Sequence, residues 1–232
     1  MMAKGTGMQA GERKLIAETG EEGQERQLWA QEINGVTEYE MVVNGVFLMS
    51  SNQAETERLL VRRGIEIAGC RQGDILIGGL GMGFSVREAC ENGSSPASID
   101  VVEIDPVVFT WNLHLIDRNR AYLADPRVAL IQDDFVHFVR KTKKKYHVIC
   151  MDIDNGPMLL VYEKNEYAYS PAFFMRVRKV LRENGVFAIW SGNADDRLYK
   201  DMSASFRECR VEEVYQDMQG KPISYYLYFG LK

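Results

Sequence analysis

One stretch constrains this chain more than any other. Ile75-Leu76-Ile77 runs into Gly78-Gly79-Leu80-Gly81-Met82-Gly83, and a helical pattern follows near Ser85–Asn92. A buried strand that breaks on a glycine cluster and resumes as a helix is the opening of a nucleotide-binding α/β unit. Glycine lets the backbone turn tightly and lets a ligand approach with no Cβ in the way. The helix that follows presents unsatisfied N–H groups at its first turn. Gly79, Leu80, Gly81 and Gly83 are therefore candidate cofactor contacts. The next apolar strand ends Val101-Val102-Glu103-Ile104-Asp105, about 20 residues beyond the loop. In dinucleotide-type folds an acid there bonds the ribose hydroxyls, which makes Glu103 the ribose candidate, with Ile104 beside it. Asp105 opens a helix and reads as its cap.

A third strand, Val128–Ile131, ends in Gln132-Asp133-Asp134-Phe135. An acid at this point can accept a hydrogen bond from an adenine amino group. Asp134 is the first candidate and Asp133 the second, with N-capping of the next helix as the competing role for either. The loop is GxGxG and not GxGxxG, and an acid pair follows the third strand. Both features lean away from a nicotinamide dinucleotide.

Strands and helices keep alternating after this. His147–Met151 and Gly185–Ser191 read as strands, Pro106–Ile116, Phe135–Lys141, Pro171–Arg182 and Asp195–Phe206 as helices. Such alternation predicts a mostly parallel sheet with right-handed crossovers, a Rossmann-like α/β fold of seven strands. Arg210–Tyr215 and Ile223–Phe229, joined by a turn at Gly220-Lys221-Pro222, predict an antiparallel closing hairpin. Upstream, Asn34-Gly35 and Asn44-Gly45 interrupt β-like runs and predict a small hairpin unit. Glu55–Ala68 reads as a helix, with Gly64 counting against its continuity. The expected division is a flexible terminus over 1–25, a hairpin unit with its linking helix over 26–70, and the transferase-type domain over 71–232.

The fourth strand ends in Asp152-Ile153-Asp154-Asn155-Gly156-Pro157. Chemistry in open α/β sheets sits beyond the carboxyl ends of the strands. Asp152 and Asp154 are thus the catalytic candidates, able to bind an ammonium group or to take a proton from an attacking amine. A turn in which Asp154 and Asn155 bond their own backbone is the alternative. Tyr162, Tyr167 and Tyr169 follow, and either cover such a site as a lid or stack at the surface.

Composition sets bounds. The net charge of -5 argues against a nucleic-acid-binding face, and Lys141–Lys145 reads as a solvated loop. Cys70, Cys90, Cys150 and Cys209 show no metal or disulfide spacing, and no metal is expected. His114, His137 and His147 form no catalytic set with Ser or Cys. With no signal-type apolar core at the start and no membrane-length apolar run, a cytoplasmic protein without membrane association is expected.

These motifs, in order, resemble the spermidine synthase (polyamine aminopropyltransferase) family, within the class I S-adenosylmethionine-dependent methyltransferase superfamily. The resemblance covers about residues 37–232. Val43-Asn44-Gly45-Val46 is similar to the family's LDGV, Ile77–Gly83 to its IGGGDGG, Val102–Asp105 to its VEID and Asp125–Val128 to its DPRV. Asp152 falls on the first Asp of DSSDP. The resemblance implies decarboxylated S-adenosylmethionine as aminopropyl donor and a putrescine-like amine as acceptor, a role in polyamine biosynthesis, and commonly a homodimer. It implies ribose binding by Glu103, adenine binding by Asp134 and amine deprotonation by Asp152. The chain departs from the pattern in places. Gly81 stands about where the glycine loop carries Asp, Leu48 replaces a Gln, and Glu57-Arg58-Leu59 replaces YHE. An arginine lining a site for a cationic amine would repel it. An S-adenosylmethionine-dependent methyltransferase and a non-catalytic adenosyl-ligand-binding homologue are the alternatives.

Overall fold

The computed structural model describes residues 11–20, 25–52, 55–70, 72–92, 96–160, 163–218 and 221–232. The chain divides into two compact units, 1–54 and 55–232. In the first, β1 (Lys14–Thr19), β2 (Arg26–Ile33), β3 (Val36–Val43) and β4 (Val46–Ser50) form one antiparallel sheet in chain order. Asn34 and Asn44 sit at positive φ before Gly35 and Gly45, as two-residue hairpin turns require. β1 is a strand that lies within the 1–25 expected to be flexible. Its KLIAET is exposed along most of its length, so it lacks the alternation that marks a half-buried strand. The parts of that expectation over 1–10 and 21–24 lie outside the described residues.

The second unit opens with α1 (Glu55–Ala68), then β5 (Asp74–Gly78), α2 (Phe84–Glu91), β6 (Ser98–Glu103), α3 (Pro106–His114), α4 (Asp117–Leu123), β7 (Val128–Gln132), α5 (Phe135–Lys141) and β8 (Tyr146–Met151). A 3-10 segment (Glu163–Tyr169), α6 (Pro171–Val180), β9 (Leu181–Ser191), α7 (Asp196–Ser205), β10 (Glu208–Met218) and β11 (Lys221–Leu231) complete it. Sheet order is β10-β11-β9-β8-β5-β6-β7, parallel from β9 to β7 and antiparallel in the closing pair. This is the predicted seven-stranded Rossmann-like architecture. The central strands are apolar on both faces, because helices cover both sides of a parallel sheet. Ile75, Leu76, Ile77, Val101, Val148 and Ile149 are all buried. No described helix is long and apolar enough to cross a membrane.

α1 groups with this second unit, and not with the hairpin sheet as expected from sequence. It is unbroken at Gly64, because the glycine lets the helix lie directly on the sheet. A Cβ there would come within 2.9 Å of the Val148 side chain and within 3.9 Å of Ala188. Gly64→Ala should therefore destabilise the fold by about 1–2 kcal/mol, overpacking outweighing the helix-propensity gain of about 1 kcal/mol. A denaturant titration reads this as a lower midpoint at unchanged slope.

Candidate active site

The parallel strands end at one level, and the site is built on that edge. Beyond each last rung the backbone bonds once more: Gly79 N–H to Val102 O, Asp133 N–H to Glu103 O and Asp152 N–H to Gly78 O, at 2.9, 3.1 and 2.9 Å. Gly79, Asp133 and Asp152 are thus brought to the same edge by the ladder itself. Chain order reverses between β5 and β8, so the glycine loop and Asp152 flank the switch point where ligands bind in such sheets.

The glycine loop is fixed from two sides. Gly79 has φ +90°, and a Cβ there would lie 2.0 Å from the Asp152 carbonyl oxygen. Gly83 has φ +78° and caps α2. From the other side, the fully buried Asn112 of α3 donates to Gly81 O at 2.9 Å and to Val108 O at 2.8 Å. Asn119 of α4 donates to Met82 O at 2.8 Å and to Asn112 Oδ1 at 2.6 Å. These two amides were missed in sequence. Each is an amide among other polar residues of a helix, and α4 itself has no apolar period to announce it.

Glu103 is buried, and its carboxylate bridges the two loops. Oε2 accepts from Leu80 N–H at 2.9 Å and Oε1 from Asp105 N–H at 2.8 Å. Burial raises its pKa, partly offset by these backbone donors. A carboxylate has about four lone-pair positions, so two bonds leave it able to accept from ribose hydroxyls. Ile104 follows half-buried at the strand end. Asp105 caps α3 through Val107 N–H.

Of the two roles weighed for the acid pair after β7, helix capping is filled by Asp134. It caps α5, accepting from His137 N–H at 3.0 Å, and its Oδ2 lies 3.0 Å from Lys164 Nζ. Asp133 lies 2.8 Å from the His137 ring.

Across the edge, Asp152 is half-buried, with Glu57 and Asp154 as charged neighbours. Burial first, then the two other carboxylates, raise its pKa well above the usual carboxylate range. Glu57, at the start of α1, is the residue that sequence reasoning passed over. Its carboxylate accepts from the buried Thr56 hydroxyl at 2.7 Å, and Thr56 accepts from the Trp190 indole at 3.1 Å. Burial also raises the Glu57 pKa. Trp190 packs on Tyr225, ring centroids 5.3 Å apart. Arg58, which counted against a cationic acceptor in the sequence, pairs instead with Glu88 and Glu91 of α2 at 2.8 and 3.2 Å. A helix turns successive residues about 100° apart, so Glu57 and Arg58 serve different neighbours.

Asp154 is buried, and tertiary bonds reach its carboxylate. Its carboxylate accepts from Asn165 at 2.9 Å and from the Tyr169 hydroxyl at 3.4 Å. Of the three tyrosines weighed as a cover for the site, Tyr169 is therefore part of it. Tyr167 is exposed against Phe173, and Tyr162 lies outside the described residues. Cys150 is fully buried and its thiol pKa is pushed up by burial, in keeping with a core role. Among the described residues no group of His, Cys, Asp and Glu has the arrangement of a metal site.

The edge thus offers a Cβ-free loop and a buried acid on one side of the switch point, and three carboxylates with two aromatic rings on the other. The profile of the spermine/spermidine synthase domain matches residues 66–218. A polyamine aminopropyltransferase of Pyrobaculum calidifontis is 32% identical over 125 residues, 52% of this chain and 42% of the relative. The chain spans well under two thirds of the length of the curated relatives it matches. The crystal structure of spermidine synthase from Thermotoga maritima superposes with a TM-score of 0.74 at 18% identity, covering 94% of this chain and 72% of that one. Human methyltransferase-like protein 13, solved with SAH, gives a TM-score of 0.55 at 20% identity, covering 75% and 78%.

Proposed function

The chain belongs to the spermine/spermidine synthase family, and on that premise we propose that it transfers an aminopropyl group from decarboxylated S-adenosylmethionine to a small putrescine-like amine. The observation that carries the reading is the company of Asp152. It stands against the glycine loop, its carbonyl oxygen 2.0 Å from where a Gly79 Cβ would be, with Glu57 and Asp154 as neighbours. Three carboxylates attract a cationic amine, and the Trp190–Tyr225 pair gives its methylenes an apolar wall.

The residues fit the two reactants in turn. The glycine loop admits the adenosyl chain without side-chain obstruction, Glu103 accepts from ribose, and Asp134 lies at the adenine end. A neutral amine nitrogen attacks the methylene next to the sulfonium, the C–S bond breaks, the thioether leaves, and the nitrogen sheds a proton. Asp152 is the acceptor for that proton. Its raised pKa suits a base working near neutral pH better than an ordinary carboxylate would. Most of the remaining work is alignment of nitrogen and carbon.

One observation favours a second reading, methyl transfer from S-adenosylmethionine. Leu80, Gly81 and Met82 bring no carboxylate to the loop where a donor amine would end. Calorimetry with the two donors, each with and without putrescine, separates the readings. Preference for the decarboxylated donor, with spermidine formed, is the expected result. Preference for S-adenosylmethionine with no response to putrescine would leave a methyltransferase. No binding of either donor would leave neither.

A further inference from the structure

Asp154 lies in a stretch, Asp152–Leu160, with no helix or strand to orient it. Its direction is set by tertiary bonds. We propose that Asn165 is a positioning residue that holds the Asp154 carboxylate toward the acceptor; this rests on the amine-acceptor reading above.

The 3-10 segment carrying Asn165 is pinned on both flanks. One residue earlier, Lys164 pairs with Asp134 at 3.0 Å, across the edge at the adenine end. Later in the segment, Ala168 and Tyr169 are buried in the main core with Phe135, Phe173 and Phe174. Ser170 then caps α6, its hydroxyl accepting from Phe173 N–H at 3.3 Å. Between these anchors the Asn165 amide arrives pre-oriented, 8% exposed, on an Asp154 that is 5% exposed. A side chain fixed at both ends of its segment loses little further freedom on bonding, so its bond directs the acid.

The chemistry of the donor matters as much as its place. Asn165 and Tyr169 are both neutral donors. They hold the carboxylate without bringing a positive charge to it. A lysine or arginine at position 165 would compete with the substrate amine for the same oxygens.

The test compares Asn165→Ala and the near-isosteric Asn165→Asp with the parent chain, using decarboxylated S-adenosylmethionine and putrescine as probes. The expected result is a rise of about tenfold in the putrescine KM for both variants, with donor KM within about twofold of the parent. A crystal structure of the alanine variant should show the Asp154 side chain displaced or split between conformers. Donor and acceptor KM rising together mark a general structural role and overturn the proposal. So does an unchanged acceptor KM, or an Asp154 that keeps its position without Asn165. A parent chain that turns over no diamine sinks the acceptor reading alone. The crystal comparison then still reports whether Asn165 holds Asp154, and the aspartate variant keeps the test alive if the alanine variant does not fold.

Discussion

Replacing Asp152 by Asn is expected to lower kcat by about 10²- to 10⁴-fold while making the protein more stable at neutral pH. The kinetic half follows from removing the proposed proton acceptor and nothing else, since an amide keeps the shape but cannot take the amine's proton. Donor affinity should hold, because the proposed reading gives the donor to the glycine loop, Glu103 and Asp134, and Asp152 to the acceptor amine. The stability half follows from the sign of its pKa shift. Burial, Glu57 and Asp154 all disfavour the ionised form, so the folded state binds this proton more tightly than the unfolded chain does. Ionising Asp152 therefore costs folding stability as pH rises from the ordinary carboxyl value, about 3.9, toward its raised value. The Asn variant escapes that cost. Its denaturation midpoint should exceed the parent's at pH 7, and the gap should close toward about pH 4. A variant that loses activity and is also less stable at pH 7 would mean that Asp152 is a structural acid.

Gly79→Ala should be the most damaging single methyl group in the site. Two independent costs add at this position. An L side chain at φ +90° is strained, by about 1–2 kcal/mol or more. The new Cβ would also sit 2.0 Å from the Asp152 carbonyl oxygen, and backbone cannot yield as the tip of a side chain can. Relieving that contact means parting the ends of β5 and β8, which breaks the bond from Asp152 N–H to Gly78 O. A loss of about 3 kcal/mol or more is expected in chemical denaturation. Binding of 5′-methylthioadenosine, the nucleoside product of the proposed reaction, should weaken by about a hundredfold or more, read by calorimetry. Ala at Gly79 with native stability and native nucleoside affinity would show that the loop is less tightly wedged than its geometry demands.

The glycine loop, Glu103, Asp105 and the strand–helix alternation were legible because each is a local property. Backbone that must adopt positive φ selects glycine at Gly79, Gly81 and Gly83, and a buried parallel strand needs a run such as Ile75–Ile77. A capping Asp sits next to the helix it caps. The elements that escaped have no such signature. β1 is exposed along most of its length, α4 buries only Asn119 and Leu123, and the 3-10 segment reads as the polar EKNEYAY.

The sequence by itself determined the fold class, and it named Asp152 and Asp154 as candidates, two of the three acids that the structure gathers beyond β8. Only the tertiary structure decided what surrounds them. It turned Glu57 toward Asp152 and Arg58 toward Glu88. It set Asn112 and Asn119 under the glycine loop and brought Asn165 and Tyr169 onto Asp154. The physical reason is that a carboxylate's chemistry depends on solvent exclusion and on charges within a few ångströms. Those neighbours come from segments far apart in the chain, placed by helix packing against the sheet and not by any spacing along it.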